Sequence, residues 1–214
     1  MPIMNYLTPS YYFDFEDENV QELIEEFKSD KLSPKEKAIG IYLKIRDNWR
    51  YNPYHLSLLK SSYKASFIAQ KPDGHCIEKS ILLIACLRGL QIPARIHLAK
   101  VKNHIGVERF MEKFGTAEIT PHGMVDVFLE GKWLKVSPAF NKELCEKCNV
   151  ATLDFDGQND SIFHEFDKSG NKFMEYLEDY GSFKDIPVDF ILNNFKENYP
   201  EIMKRNKGLT EIKI

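Results

Sequence analysis

The chain of 214 residues is most informative at first through what it lacks. No apolar run approaches the length of a membrane span; the longest unbroken one lies between Ile81 and Leu87. The segment Met1 to Phe15 has neither the basic start nor the apolar centre of a secretory signal, so a cytoplasmic location is expected. Neither sign of charge dominates: 29 Lys and Arg stand against 32 Asp and Glu, a net charge of −3. That balance gives no electrostatic reason to expect nucleic acid or a membrane surface as partner. There is no internal repeat and no low-complexity linker. Cysteine is scarce: four residues, more readily reduced thiols than bridges in the expected setting. A hydrophobic share of 43% is that of an ordinary globular protein.

Among these few thiols, Cys76 stands out. Asp73-Gly74 is a turn signal, and Ile77, Ile81, Ile84 and Leu87 then recur on one helical face. A helix from Cys76 to Arg88 follows, with Gly89 as its stop signal and Pro93 beyond. A thiol in the first turn lies at the positive end of the helix macrodipole, where a thiolate is favoured. Taken alone, such a cysteine is also a small buried hydrophobe. Cys86, inside the apolar run, reads as core. Cys145-Glu146-Lys147-Cys148 has zinc-ligand spacing, but no second pair exists and His164 is the only downstream histidine. Two surface or half-buried thiols are the better reading. We therefore expect no metal and no cofactor.

The other elements are legible in outline. Acidic residues 14–26 surround Val20, Leu23, Ile24 and Phe27, an amphipathic helix. Ser33-Pro34-Lys35-Glu36 is a capping box with proline at the first helical position, and its helix turns Ala38, Ile41, Ile45 and Trp49 inward. Leu56 to Ala69 is expected to be helical. Ala94 to Val101 reads as a strand, with a short helix from Val107 to Phe114 after it. His122 to Leu129 and Lys132 to Val136 read as a hairpin across Glu130-Gly131. By alternation His122, Met124, Asp126 and Phe128 share one face, as do Trp133, Lys135 and Ser137. Trp133 is expected to be largely buried and Lys132 exposed. Past residue 150 aromatics and turn residues mix without a clear period until a helix that starts at Asp185-Ile186-Pro187; Pro200 ends it.

Four of these pieces, in this order, resemble the transglutaminase-like superfamily. They are Gly74-His75-Cys76, Leu87 to Arg95 (Leu-Arg-Gly-Leu-Gln-Ile-Pro-Ala-Arg), His122 to Val127, and Gly131 to Val136 around Trp133. The helix from Ile41 to Tyr51 is similar to the one that precedes the family's cysteine. The resemblance covers roughly residues 34–140. It implies an α+β, papain-like fold, with N-terminal helices and the nucleophile helix packed on an antiparallel sheet. Residues 1–33 then form a helical extension, 34–150 the core and 151–214 an appendage, within one domain overall. The resemblance also implies Cys76 as nucleophile and His122 as base. The family's aspartate falls at position 137, which is Ser137 here. A serine supplies no charge to hold an imidazolium, so Asn141 is the alternative orienting group. The implied activity is acyl transfer on amides through a Cys76 thioester, in peptide or protein substrates, with hydrolysis favoured. The alternative is a binding module whose chemistry has lapsed. His75 beside the cysteine suits a turn residue as well as a substrate contact, and His55, His97 and His104 carry no pattern.

Overall fold

The computed structural model describes residues 2–214. Asp17 caps α1 (Glu18–Ile24) by accepting the Asn19 N–H. Ser33 and Glu36 form the full capping box of α2 (Pro34–Asn48), whose Ala38, Ile41 and Ile45 are buried. Two very short strands, β1 (Arg50–Tyr51) and β2 (His55–Ser57), precede α3 (Ala65–Ala69) and β3 (Asp73–Gly74). The long central helix α4 (Cys76–Gly89) follows at once. Then come β4 (Ala94–Asn103), α5 (Val107–Phe114), β5 (Glu118–Leu129), β6 (Lys132–Val136) and α6 (Lys142–Lys147). The chain ends with β7 (Met174–Phe183), α7 (Val188–Asn198), α8 (Pro200–Arg205) and β8 (Glu211–Lys213).

The main sheet is antiparallel, in the order β6-β5-β4-β7. One apolar core joins Phe13 and Ile24 near the start, the whole of α4, the inner sheet face, and Ile186 to Ile191 near the end. Burial of α4 is nearly complete on all sides, because α1, α2 and α3 cover what the sheet leaves open. Such close helix contacts explain Gly89. A Cβ there would sit 2.8 Å from Ile24 Cδ1, so the glycine that ends α4 also admits α1. The chain turns two residues later, at Gln91, with φ of 62°. Arg88 is buried yet satisfied: it donates to the carbonyls of Ala94, Thr8 and Lys184 and lies 4.3 Å over the Phe13 ring. Burial pulls its pKa down to about 10, still charged at neutral pH. Lys79 plays the same part lower on α4, with Nζ on the carbonyls of Arg46, Trp49 and Ala139. It ties the end of α2 and the segment after β6 to the helix that carries Cys76.

Two expectations need correcting. Residues 56–69 are not one helix. Leu56 lies in β2, which pairs with β8 from the far end of the chain, and only Ala65–Ala69 is α-helical. As expected, the helix before Pro200 stops at Asn198; Pro200 then opens the short α8 at a position where its missing N–H costs nothing. Trp133 is half-buried, not buried. It stands on the outer face of the sheet, between Arg95, whose guanidinium carbon is 4.1 Å from the ring, and the edges of Tyr6 and Phe128. Lys132 is exposed. Strand β7 escaped the sequence reading because it is an edge strand, mostly exposed, with two bulges and no clean alternation.

Candidate active site

The position of Cys76 is fixed from both sides. In front of it, β3 pairs in parallel with β1, so that Tyr51 lies opposite Gly74 and Asn52 N–H donates to the Gly74 carbonyl. The helix starts directly afterwards: the His75 N–H donates to Glu78 Oε2, and Cys76 is the first helical residue. Behind it, β5 runs against the helix start. Gly123 makes this approach possible, since a Cβ there would lie 2.8 Å from Ile77 Cα. The Gly123 N–H donates to Cys76 Sγ at 3.4 Å. The residue before Gly123 is His122. A small residue after the histidine was thus a signal in the sequence that the reading passed over.

His122 pairs with Ala99 of β4 and is buried, its ring 5.7 Å from that of Phe163. Neither ring nitrogen has a hydrogen-bond partner among the described residues. The same is true of the Ser137 hydroxyl. In the β5–β6 register Val125 lies opposite Val136, the last residue of β6; Ser137 follows directly, and its N–H donates to the Ser161 carbonyl. Asn141 lies at the start of α6, where its Oδ1 accepts the Tyr51 N–H at 3.3 Å. Neither Ser137 nor Asn141 is hydrogen-bonded to His122, and no hydrogen bond joins His122 to Cys76.

Electrostatics at the thiol run against the helix-end argument. Burial pushes the Cys76 pKa up to about 11, although the N–H groups of Gly123, Ile77 and Cys76 itself favour the thiolate. Desolvation wins, so at neutral pH the closed site holds a thiol. Burial also pushes Cys86 up, to about 12. His122 is drawn down to about 4 by burial, with no nearby charge to oppose it. The resting pair is neutral on both sides. Tyr51 adds a hydroxyl at this spot. Burial, reinforced by the neighbouring thiol, holds its pKa well above the usual phenol range, so it stays protonated.

Cys145 is buried and Cys148 half-buried, so the first of these is not a surface thiol. No group of three or more His, Cys, Asp or Glu suited to a metal ion occurs among the described residues. No helix among them is long and apolar enough to cross a membrane.

With the geometry in place, comparison with protein families decides the kinship. The family model of the transglutaminase-like superfamily matches residues 21–138, more than half of the chain. The chain belongs to the transglutaminase-like superfamily. A comparison with curated proteins finds no match. Among solved structures, it is similar to one described as a "Putative Cysteine Protease" from Cytophaga hutchinsonii, with a TM-score of 0.54 and 15% identity. That similarity covers 88% of this chain but only 49% of the other, so the chain spans about half the length of its structural relative. At this identity the likeness speaks for the fold, which is the papain-like α+β fold of cysteine enzymes.

Proposed function

We propose that the protein is a cysteine hydrolase acting on amide bonds of peptide or protein substrates, with Cys76 as nucleophile and His122 as base. One observation carries this reading. A thiol opens α4 under the Gly123 N–H, and the residue before that glycine is a buried histidine with both nitrogens uncommitted among the described residues. Leaving a buried polar group unpaired costs about 1–3 kcal/mol, and groups left so tend to serve a purpose other than stability.

The steps follow from the neutral resting pair. As Sγ attacks the amide carbonyl, His122 takes the thiol proton, so proton transfer accompanies the attack. The carbonyl oxygen becomes an oxyanion, for which the Cys76 N–H is a suitable donor. The C–N bond breaks, and His122 gives its proton to the departing amine. Water then loses a proton to His122 and attacks the thioester. The S–C bond breaks and the thiol is restored as the acid leaves. Ser137 offers no negative charge to the imidazolium that forms, which predicts a slow enzyme.

The burial of Cys76, its raised pKa and the hydroxyl at position 137 favour a second reading, a binding module that has lost catalysis. Turnover of a peptide-amide panel separates the two. Hydrolysis that disappears in Cys76→Ala supports the enzyme. A wild type without turnover, whose Cys76→Ala form binds the same peptides equally well, supports the module.

A further inference from the structure

The cleft in front of Cys76 has walls that the sequence did not announce. Leu56 and Leu58 come from the β2 region, Phe110 and Phe114 from α5, and Leu192 and Phe195 from α7. The α7 residues lie beyond the stretch that matches the family. Behind them, Phe195, Tyr199, Ile202 and Ile212 form a second small apolar cluster that holds these walls together. The interior offers about 60 Å³. A single water needs only about 10–15 Å³ by the same measure, so this is a built space rather than a packing gap.

The polar groups on the walls are turned away from it. Tyr199 Oη donates to the Glu118 carbonyl and accepts the Thr120 N–H, both at 2.9 Å. Tyr63 Oη donates to the Ser57 carbonyl at 3.1 Å. The Thr120 hydroxyl is engaged by Asn194 and Tyr180, and the Ser57 hydroxyl by Ser62 and Glu211. The remaining polar side chains of the lining are Cys76, Tyr51 and His75, whose Nε2 lies 3.6 Å from Glu78 Oε2. No Asp, Glu, Lys or Arg lines the cleft.

We propose that this cleft is the acyl-side subsite, and that it takes a bulky apolar acyl group whose carbonyl reaches Cys76. The proposal rests on the hydrolase reading above. The acyl group is either the residue before the scissile bond of a peptide or a fatty acyl chain. Burying an apolar side chain of leucine or phenylalanine size is worth about 1.5–3 kcal/mol, which corresponds to a preference of ten-fold or more.

The test uses p-nitrophenyl esters of N-acetyl-phenylalanine, N-acetyl-glycine, N-acetyl-aspartate, acetate and octanoate. Acylation of Cys76 is followed by intact and peptide mass spectrometry, relative to each ester's spontaneous hydrolysis. The expected result is at least a ten-fold advantage of phenylalanine over glycine or of octanoate over acetate, with aspartate slowest. The first advantage alone identifies a peptide, the second alone a fatty acyl chain. Leu192→Asp, at a half-exposed wall position, should bring the favoured ratio close to one, and Leu58→Asp serves the same end should the first variant not fold. Equal rates across the esters, or a preference for aspartate, overturn the subsite while leaving the nucleophile in place. Acylation of Cys76 by none of the esters removes the hydrolase reading and the subsite with it.

Discussion

Two histidines on adjacent strands of the same sheet show how differently the fold treats the same side chain. Both are buried: His97 is 6% exposed and His122 1%. His97 is fully engaged. Its Nε2 is 2.8 Å from Asp179 Oδ1, and its Nδ1 lies 3.1 Å from Ser182 Oγ and 3.3 Å from Asp126 Oδ1. Arg95 and Ser182 also donate to Asp126. Although burial alone would raise it, the hydrogen bonds from His97, Ser182 and Arg95 hold the Asp126 carboxyl below its usual range. His122, by contrast, has the Phe163 ring 5.7 Å away and no partner for either nitrogen among the described residues. The first histidine closes a network that staples β4, β5 and β7 together. The second is left without a partner for either nitrogen, which suits the proton-transfer role proposed for it.

The largest test of this contrast is acid stability. His122 titrates near pH 4 in the folded chain against an ordinary value of 6.5. Between those values the unfolded chain binds the additional proton. The stability this neutral histidine allows is therefore complete above pH 6.5 and lost as the pH falls through 4, by up to roughly 3 kcal/mol. Denaturant titrations at pH 7 and pH 4.5 should show His122→Ala losing less stability on acidification than wild type; equal losses would break the contrast.

Next in size is His97→Ala. It strips partners from Asp126 and Asp179 and should cost about 1–3 kcal/mol. For a chain of this size each kcal/mol lowers Tm by about 2–4 °C. Scanning calorimetry at pH 7 should find this loss in His97→Ala, with His122→Ala close to wild type. A larger fall in the second variant would reverse the roles given to the two rings.

Smallest is Ser137→Asp. A carboxylate at the position of the family's aspartate favours the imidazolium, so the His122 pKa should rise, by an amount readable from NMR titration of the ring. Hydrolysis should gain about ten-fold, equivalent to about 1.4 kcal/mol. No movement of the His122 titration in a folded Ser137→Asp protein would show that position 137 does not face the ring. Should Asn141→Ala abolish activity while Ser137→Ala does not, the orienting role belongs to Asn141 instead.

What the sequence showed and hid follows the range of the interactions. The capping box at Ser33, the helix behind Cys76, Val107–Phe114 and the β5–β6 hairpin are written in neighbouring residues, and they could be read directly. Strand β2 could not, because its partner β8 lies near the other terminus. Gly89 does end α4, but its close approach to Ile24 was hidden because that residue is distant in the chain. At the site, the residue types of Cys76 and His122 and the departure at Ser137 were legible. The state of the thiol was not: local pattern reports the helix end, whereas the shift to about 11 comes from burial by elements spread over the whole chain. The motif singled out His122, but no pattern showed how fully His97 is engaged, since its partners Asp126, Asp179 and Ser182 lie on two other strands.

The most direct measurement is the rate at which an activated acyl ester modifies Cys76 in three proteins: wild type, His122→Ala and His97→Ala. Peptide mass spectrometry would locate the acyl group. The account predicts a thioester on Cys76 in wild type, a rate at least 100-fold lower in His122→Ala, and a rate within a few-fold of wild type in His97→Ala. Unchanged acylation in His122→Ala, or an acyl group on Cys148 in place of Cys76, would contradict it.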